Sequence, residues 1–185
     1  MSLLTASTPF LTYVPLNAEY DRVSKALCKS LGRDDVCISV LLKVTNPDLI
    51  SSFEARKAAI TETRGKAPEV IDVYHGTTMA AAERIAETGF DKAYNTVSAY
   101  GKGTYASPHV KTALGYCKDV KVAGDFSMVF QCKFLKGNYG PHDPATKQIN
   151  TEKYDYSGNK ADIYVTPYND GILPEYLICY YTWAA

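Results

Sequence analysis

Strand-forming segments crowd into the second half of the chain, and this restricts its topology more than any other feature. Runs rich in β-branched and aromatic residues occupy 127–134, 161–166 and 176–183, with few regular strand–helix–strand units among them. Helical patterns fall earlier. Apolar residues at three- and four-residue spacing run over 14–31, with Asn17 placed to cap that helix and Gly32 to end it. Residues 36–44 read as a buried strand, and Pro47 opens a second helix through Leu49, Ile50, Phe53, Arg56, Lys57 and Ala59. Residues 61–68 are polar, contain Gly65 and Pro68, and read as a loop. A strand over 70–75 leads to a third helix at 79–88, capped by Thr77 or Thr78 and closed by Gly89. A short helix at 109–117 follows Ser107-Pro108. Early helices and late strands imply an α+β fold with largely antiparallel pairing.

A length of 185 residues with 46% apolar content is enough for one domain, 1–185, with its own core. Lysine plus arginine equals aspartate plus glutamate, 20 against 20, so no global field favours duplex nucleic acid or an anionic membrane. The cysteines Cys28, Cys37, Cys117, Cys132 and Cys179 have no C-x-x-C or Cys/His metal spacing and read as thiols of a reducing compartment. No metal is expected. Thr5, Ser7, Thr8 and Pro9 interrupt the N-terminus before a leader core accumulates, and no stretch approaches the roughly 20 apolar residues of a membrane span. The expectation is a monomeric protein of the cytoplasm or nucleus with no membrane partner.

Two short motifs carry the chemistry. Val73-Tyr74-His75-Gly76-Thr77 is followed by Tyr100-Gly101-Lys102-Gly103-Thr104-Tyr105 and then Tyr116. They supply a histidine at a strand end, a glycine-rich turn and two tyrosines eleven residues apart. Such parts suit a flat, amide-bearing aromatic ring such as nicotinamide. Taken singly each has a plainer reading: His75 as a structural histidine, Gly101-Lys102-Gly103 as a flexible turn without phosphate-loop spacing, the tyrosines as core. Residues 136–160 form a long segment rich in Gly, Pro, Asn and Lys, with Tyr139, Tyr154 and Tyr156.

With Glu19-Tyr20-x-x-Val23, Val44-x-Asn46-Pro47-x-Leu49-x-x-x-Phe53, Gly89-Phe90 and Leu173-Pro174-Glu175-Tyr176-Leu177-Ile178, these motifs resemble the catalytic domain of the poly(ADP-ribose) polymerase-like ADP-ribosyltransferases. The resemblance implies two packed β-sheets with short flanking helices and a cleft for NAD as co-substrate. It implies that His75 hydrogen-bonds the adenosine ribose and that the Gly76 backbone pairs with the nicotinamide carboxamide, with Thr77 beside them. Tyr105 and Tyr116 would sandwich the nicotinamide ring. Where the family has a carboxamide-binding serine this chain has Ala113, and Thr112 is the available substitute.

Counting back thirteen residues from Tyr176, to the position expected for the catalytic glutamate of chain-elongating members, reaches Ile163. The resemblance is therefore to mono-ADP-ribosylating or silent members. His75, Tyr105 and Ile163 are the expected catalytic positions. The expected activity is transfer of one ADP-ribose from NAD to an acceptor bringing its own negative charge, a protein carboxylate or a nucleic-acid terminal phosphate. The alternatives are a silent module binding NAD, ADP-ribose or a protein, and an NAD glycohydrolase. The basic and aromatic residues of 136–160 would lie on the acceptor side, as a phosphate and base contact or as a plain solvated loop.

Overall fold

The computed structural model describes residues 9–95, 98–115 and 126–182. Two antiparallel sheets organise them. Strands β1 (Leu11–Tyr13), β2 (Val36–Val44), β3 (Glu69–Gly76), β5 (Phe126–Lys136) and β8 (Ile172–Thr182) form a five-stranded sheet in the order β1-β2-β8-β5-β3. Strands β4 (Thr104–Ala106), β6 (Ser157–Gly158) and β7 (Tyr164–Thr166) form a three-stranded sheet in the order β4-β7-β6. The expected α+β architecture is present.

Alternation divides the large sheet into two apolar faces. Helices α1 (Ala18–Leu31) and α4 (Val110–Leu114) cover one face, where Val23, Leu27 and Val110 pack on Tyr74, Val129, Ile178 and Tyr180. The other face carries Val73, Phe130, Phe134 and Leu177. It packs against Ala82, Ile85 and Ala86 of α3 (Met79–Thr88) and against Ala106 and Tyr164 of the small sheet. The alanine stripe of α3 is what permits that close approach. Helix α2 (Pro47–Arg64) seats Phe53 and Ile60 on Leu135.

Local signals explain most boundaries. Asn17 Oδ1 accepts from the Glu19 and Tyr20 amides, and Gly32 ends α1 in the left-handed region at φ 67°. Thr78, of the two threonines considered, caps α3 through the Ala81 amide.

Several expectations need correction. Residues 61–64 are helical, because the Thr61 and Thr63 hydroxyls donate back to the carbonyls of Lys57 and Ala59 and so leave no polar group unpaired. The strand expected over 161–166 begins only at Tyr164: Asn159 Oδ1 accepts from the amides of Ala161, Asp162 and Ile163 and holds them in a turn. The strand expected from 176 starts at Ile172, with Pro174 accommodated at a register shift against β5. Strands β1, β4 and β6 are too short to have left a period in the sequence. The last helix begins at Val110 with His109 as its cap residue, and the expected Tyr116, Cys117 and Trp183 lie outside the described residues.

Candidate active site

The two sheets are sewn together at the free edge of β3. The Tyr74 amide donates to the Ser107 carbonyl at 2.6 Å, and the Ser107 amide donates to the Tyr74 carbonyl at 3.0 Å. Tyr74 therefore turns both backbone groups away from β5. In an antiparallel edge strand every second residue does the same. The Thr77 amide points the opposite way, to the Met128 carbonyl at 3.5 Å, which fixes the alternation. Gly76, two residues beyond Tyr74, thus directs its own N–H and C=O outward, past the point where the chain after Ser107 leaves to form α4. An outward donor and acceptor on one half-buried residue without a side chain match the two hydrogen-bonding ends of a carboxamide.

His75 sits between these groups on the opposite face, ring edge to face with Phe90 at 4.9 Å between centroids. Its Nδ1 lies 2.7 Å from the Tyr105 carbonyl oxygen. A carbonyl can only accept, so Nδ1 carries the proton and the neutral ring keeps Nε2 as an acceptor. Burial moves the His75 pKa down, outweighing the opposing effect of the bond to Tyr105, and so favours this neutral form. The ring is thereby set to receive a hydroxyl proton such as that of a ribose.

Tyr105 is fixed at both ends. Its hydroxyl donates to the Gly101 carbonyl at 2.8 Å and accepts from the Tyr100 amide at 2.9 Å, so the glycine-rich turn closes around its own tyrosine. The turn in turn leans on the second sheet: a Cβ on Gly103 would stand 2.3 Å from the Thr166 carbonyl oxygen, and the Lys102 amide donates to Lys147. The glycines at 101 and 103 serve close packing rather than mobility.

Of the other expected site residues, Thr77 is buried at the end of β3 and Ala113 is buried on α4. Thr112 is half-buried on α4, and Tyr116 lies outside the described residues. Ile163 packs with Tyr105, Ile149 and Val165 beside the small sheet. It precedes β7 and is held by the bond from its amide to Asn159 Oδ1, outside the strand expected over 161–166. The row that contains Gly76 runs instead through Val129 to Ile178, and Ile178 shares a cluster with Tyr74 and Ala113 under α4.

Some contributors were invisible in the sequence because their partners are remote. Ser30 of α1 holds the start of α4, accepting from the Val110 amide at 2.9 Å and donating to the Pro108 carbonyl, where His109 supplies no side-chain cap. Arg64 and Asp155 form a buried ion pair, with Arg64 also donating to the Glu152 and Thr151 carbonyls and Asp155 accepting from the Asn138 amide. They fasten the long segment to the end of α2. Its tyrosines pack inward: Tyr156 is buried, Tyr139 lies 5.4 Å from it, and Tyr154 fills the space above Gly140. They are spent on structure and not displayed for base stacking.

Residues 17–162 match the model of the poly(ADP-ribose) polymerase catalytic domain. Among characterised proteins the chain is similar to protein mono-ADP-ribosyltransferase PARP14 of Homo sapiens, 26% identical over 179 residues. That similarity takes in 90% of this chain and 10% of the human protein.

Proposed function

The chain belongs to the poly(ADP-ribose) polymerase catalytic domain family, and from that membership we propose that it transfers a single ADP-ribose from NAD to an acceptor, releasing nicotinamide. The observation that carries the reading is the outward N–H and C=O of Gly76 next to a neutral His75 whose Nε2 can only accept. Gly76 would take the carboxamide, its N–H donating to the amide oxygen and its C=O accepting from the amide nitrogen. His75 would take a ribose hydroxyl proton, and Tyr105, with Tyr116, would flank the ring.

Breaking the bond between nicotinamide and ribose develops positive charge on the sugar, and positioning is the principal help these residues offer. Neither Ile163 nor Ile178 has a carboxylate to steady that charge or to activate a ribose hydroxyl for chain growth. Single transfer to an acceptor already carrying negative charge follows. The same aliphatic positions support the second reading, a module that binds NAD or ADP-ribose without transfer.

The test is incubation with labelled NAD and separate panels of proteins and 5′- or 3′-phosphorylated oligonucleotides. Label on one acceptor class, lost in His75→Ala and Gly76→Val, is the expected result. NAD binding with neither label nor released nicotinamide selects the binding module.

A further inference from the structure

A cavity of about 580 Å³ is bounded by the first half of α2, by residues 89–92 after α3 and by the turn 167–170 that leads into β8. None of Gly76, His75 and Tyr105 is in its wall, and its volume is that of a small-molecule site. Leu49, Phe90, Ile172 and Pro174 supply its apolar lining.

The polar lining holds more unused donors than acceptors. The Arg56 guanidinium stacks on Tyr168, 4.3 Å from the ring centroid, and its Nε and Nη2 donate to Asp170. Its Nη1 has no hydrogen-bond partner among the described residues. Lys92 Nζ has one, the Pro167 carbonyl at 2.7 Å. Pro167, Tyr168 and Asp170 all line the cavity, so both cationic groups stand in its wall. The acids there are committed: Asp170 gives both oxygens to Arg56, while Asp91 caps its own short helix through the Ala93 amide and lies 3.5 Å from Asn169 Nδ2. Spare donors beside an apolar lining suit anionic oxygens carried on an apolar body.

Two contacts join this wall to the site described above. Phe90 lines the cavity and meets the His75 ring at 4.9 Å between centroids. From Lys92 the chain runs to Asn95, whose Nδ2 donates at 2.6 Å to the Gly103 carbonyl in the turn that seats Tyr105. Fixing residues 89–92 therefore bears on both the histidine and the tyrosine.

We propose that this cavity is a second binding site, for a small organic carboxylate or phosphate, and that its occupation tightens the binding of NAD. The coupling rests on the NAD reading above, whereas the site itself does not. A ligand bridging α2 and residues 89–92 removes conformational freedom that NAD would otherwise have to remove, and the effect is reciprocal.

Isotope-labelled protein is titrated separately with phenyl phosphate and with benzoate, and amide shifts are followed by NMR. The expected result is saturable shifts at Phe90, Lys92, Asn169 and Asp170 with at least one of them, the stronger binder identifying the preferred anion. Ser52→Phe, which fills the cavity from an exposed position of α2, abolishes these shifts and leaves the rest of the spectrum in place. Lys92→Met weakens binding about tenfold. With the probe at saturation, the NAD dissociation constant measured by calorimetry falls about fivefold or more, and in Ser52→Phe it does not change. The site is overturned by no saturable shift with either probe, by equal shifts with inorganic phosphate or phenol alone, by shifts centred on Gly76 and Tyr105, or by shifts that survive Ser52→Phe. NAD affinity that is unchanged or weakened by the bound probe overturns the coupling. Failure of NAD to bind under any condition overturns the NAD reading, while the NMR titration still decides the site.

Discussion

His75 shows how one hydrogen bond decides what a residue can do. Because Nδ1 donates to Tyr105, any hydrogen bond the ring accepts must fall on an Nε2 that stays unprotonated. The pKa of His75 is depressed below the ordinary histidine value of about 6.5, so as pH falls the unfolded chain takes up a proton that the folded chain resists. Stability tied to His75 is thus full above that value and is lost as pH drops through it toward the depressed one. We expect the melting temperature to fall more between pH 8 and pH 5 for the unmodified protein than for His75→Gln. Transfer should fade over the acid side of the same range, as Nε2 turns from acceptor to donor. Glycines give a second test at this scale. Gly103→Ala should cost about 1–3 kcal/mol in urea denaturation and reduce transfer, since its Cβ would meet the Thr166 carbonyl oxygen at 2.3 Å and Val165 at 2.8 Å. The motif residues were legible because their chemistry is local to short strings. Ser30 and Asn159 were not, since each acts on a backbone that only the fold brings near or bends.

At the scale of elements, capped helices and long strands could be read from spacing, whereas the segment 136–158 could not. It has little periodic structure, and side chains rather than ladders hold much of it. Arg64 alone reaches the Thr151 and Glu152 carbonyls and the Asp155 carboxylate, and Asp155 in turn takes the Asn138 amide. Composition made the segment resemble a solvated loop, while Tyr156 and Asp155 are buried and Tyr139 and Tyr154 are partly so. Gly65 and Pro68 make Arg64 read as loop in the sequence, although the Thr61 and Thr63 hydroxyls bond back within α2, which runs through Arg64. Arg64→Ala removes the ion-pair partner of the buried Asp155 and should destabilise the protein by about 3–5 kcal/mol in urea denaturation. Limited proteolysis should then cut within 138–155, while α1 and the strands of the large sheet remain protected. Arg64→Lys, which keeps the charge but not the forked geometry, should recover only part of the loss.

At the scale of the whole molecule, the site lies where an edge strand of one sheet meets the other sheet, and the two candidate acid positions belong to different sides of that seam. Ile163 was identified by counting along the sequence from Tyr176, and it stands beside the small sheet with Tyr105. Ile178 follows from sheet register: Gly76 pairs with Val129 and Val129 with Ile178, which places their side chains on the face covered by α4. A count along the sequence carries no information about which sheet its residues join, so only the assembled fold exposes the second isoleucine. A carboxylate that activates a ribose hydroxyl must lie on the side where His75 Nε2 would meet it, and His75 stands with Phe90 and Tyr105 on the face opposite Ile178. Ile163→Glu should therefore allow products longer than one ADP-ribose, resolved by gel after reaction with labelled NAD, with a lowered melting temperature from the buried charge. Ile178→Glu should leave the product at a single unit and disturb the packing beneath α4. Chain growth from Ile178→Glu and none from Ile163→Glu would instead assign the acceptor side to the face under α4.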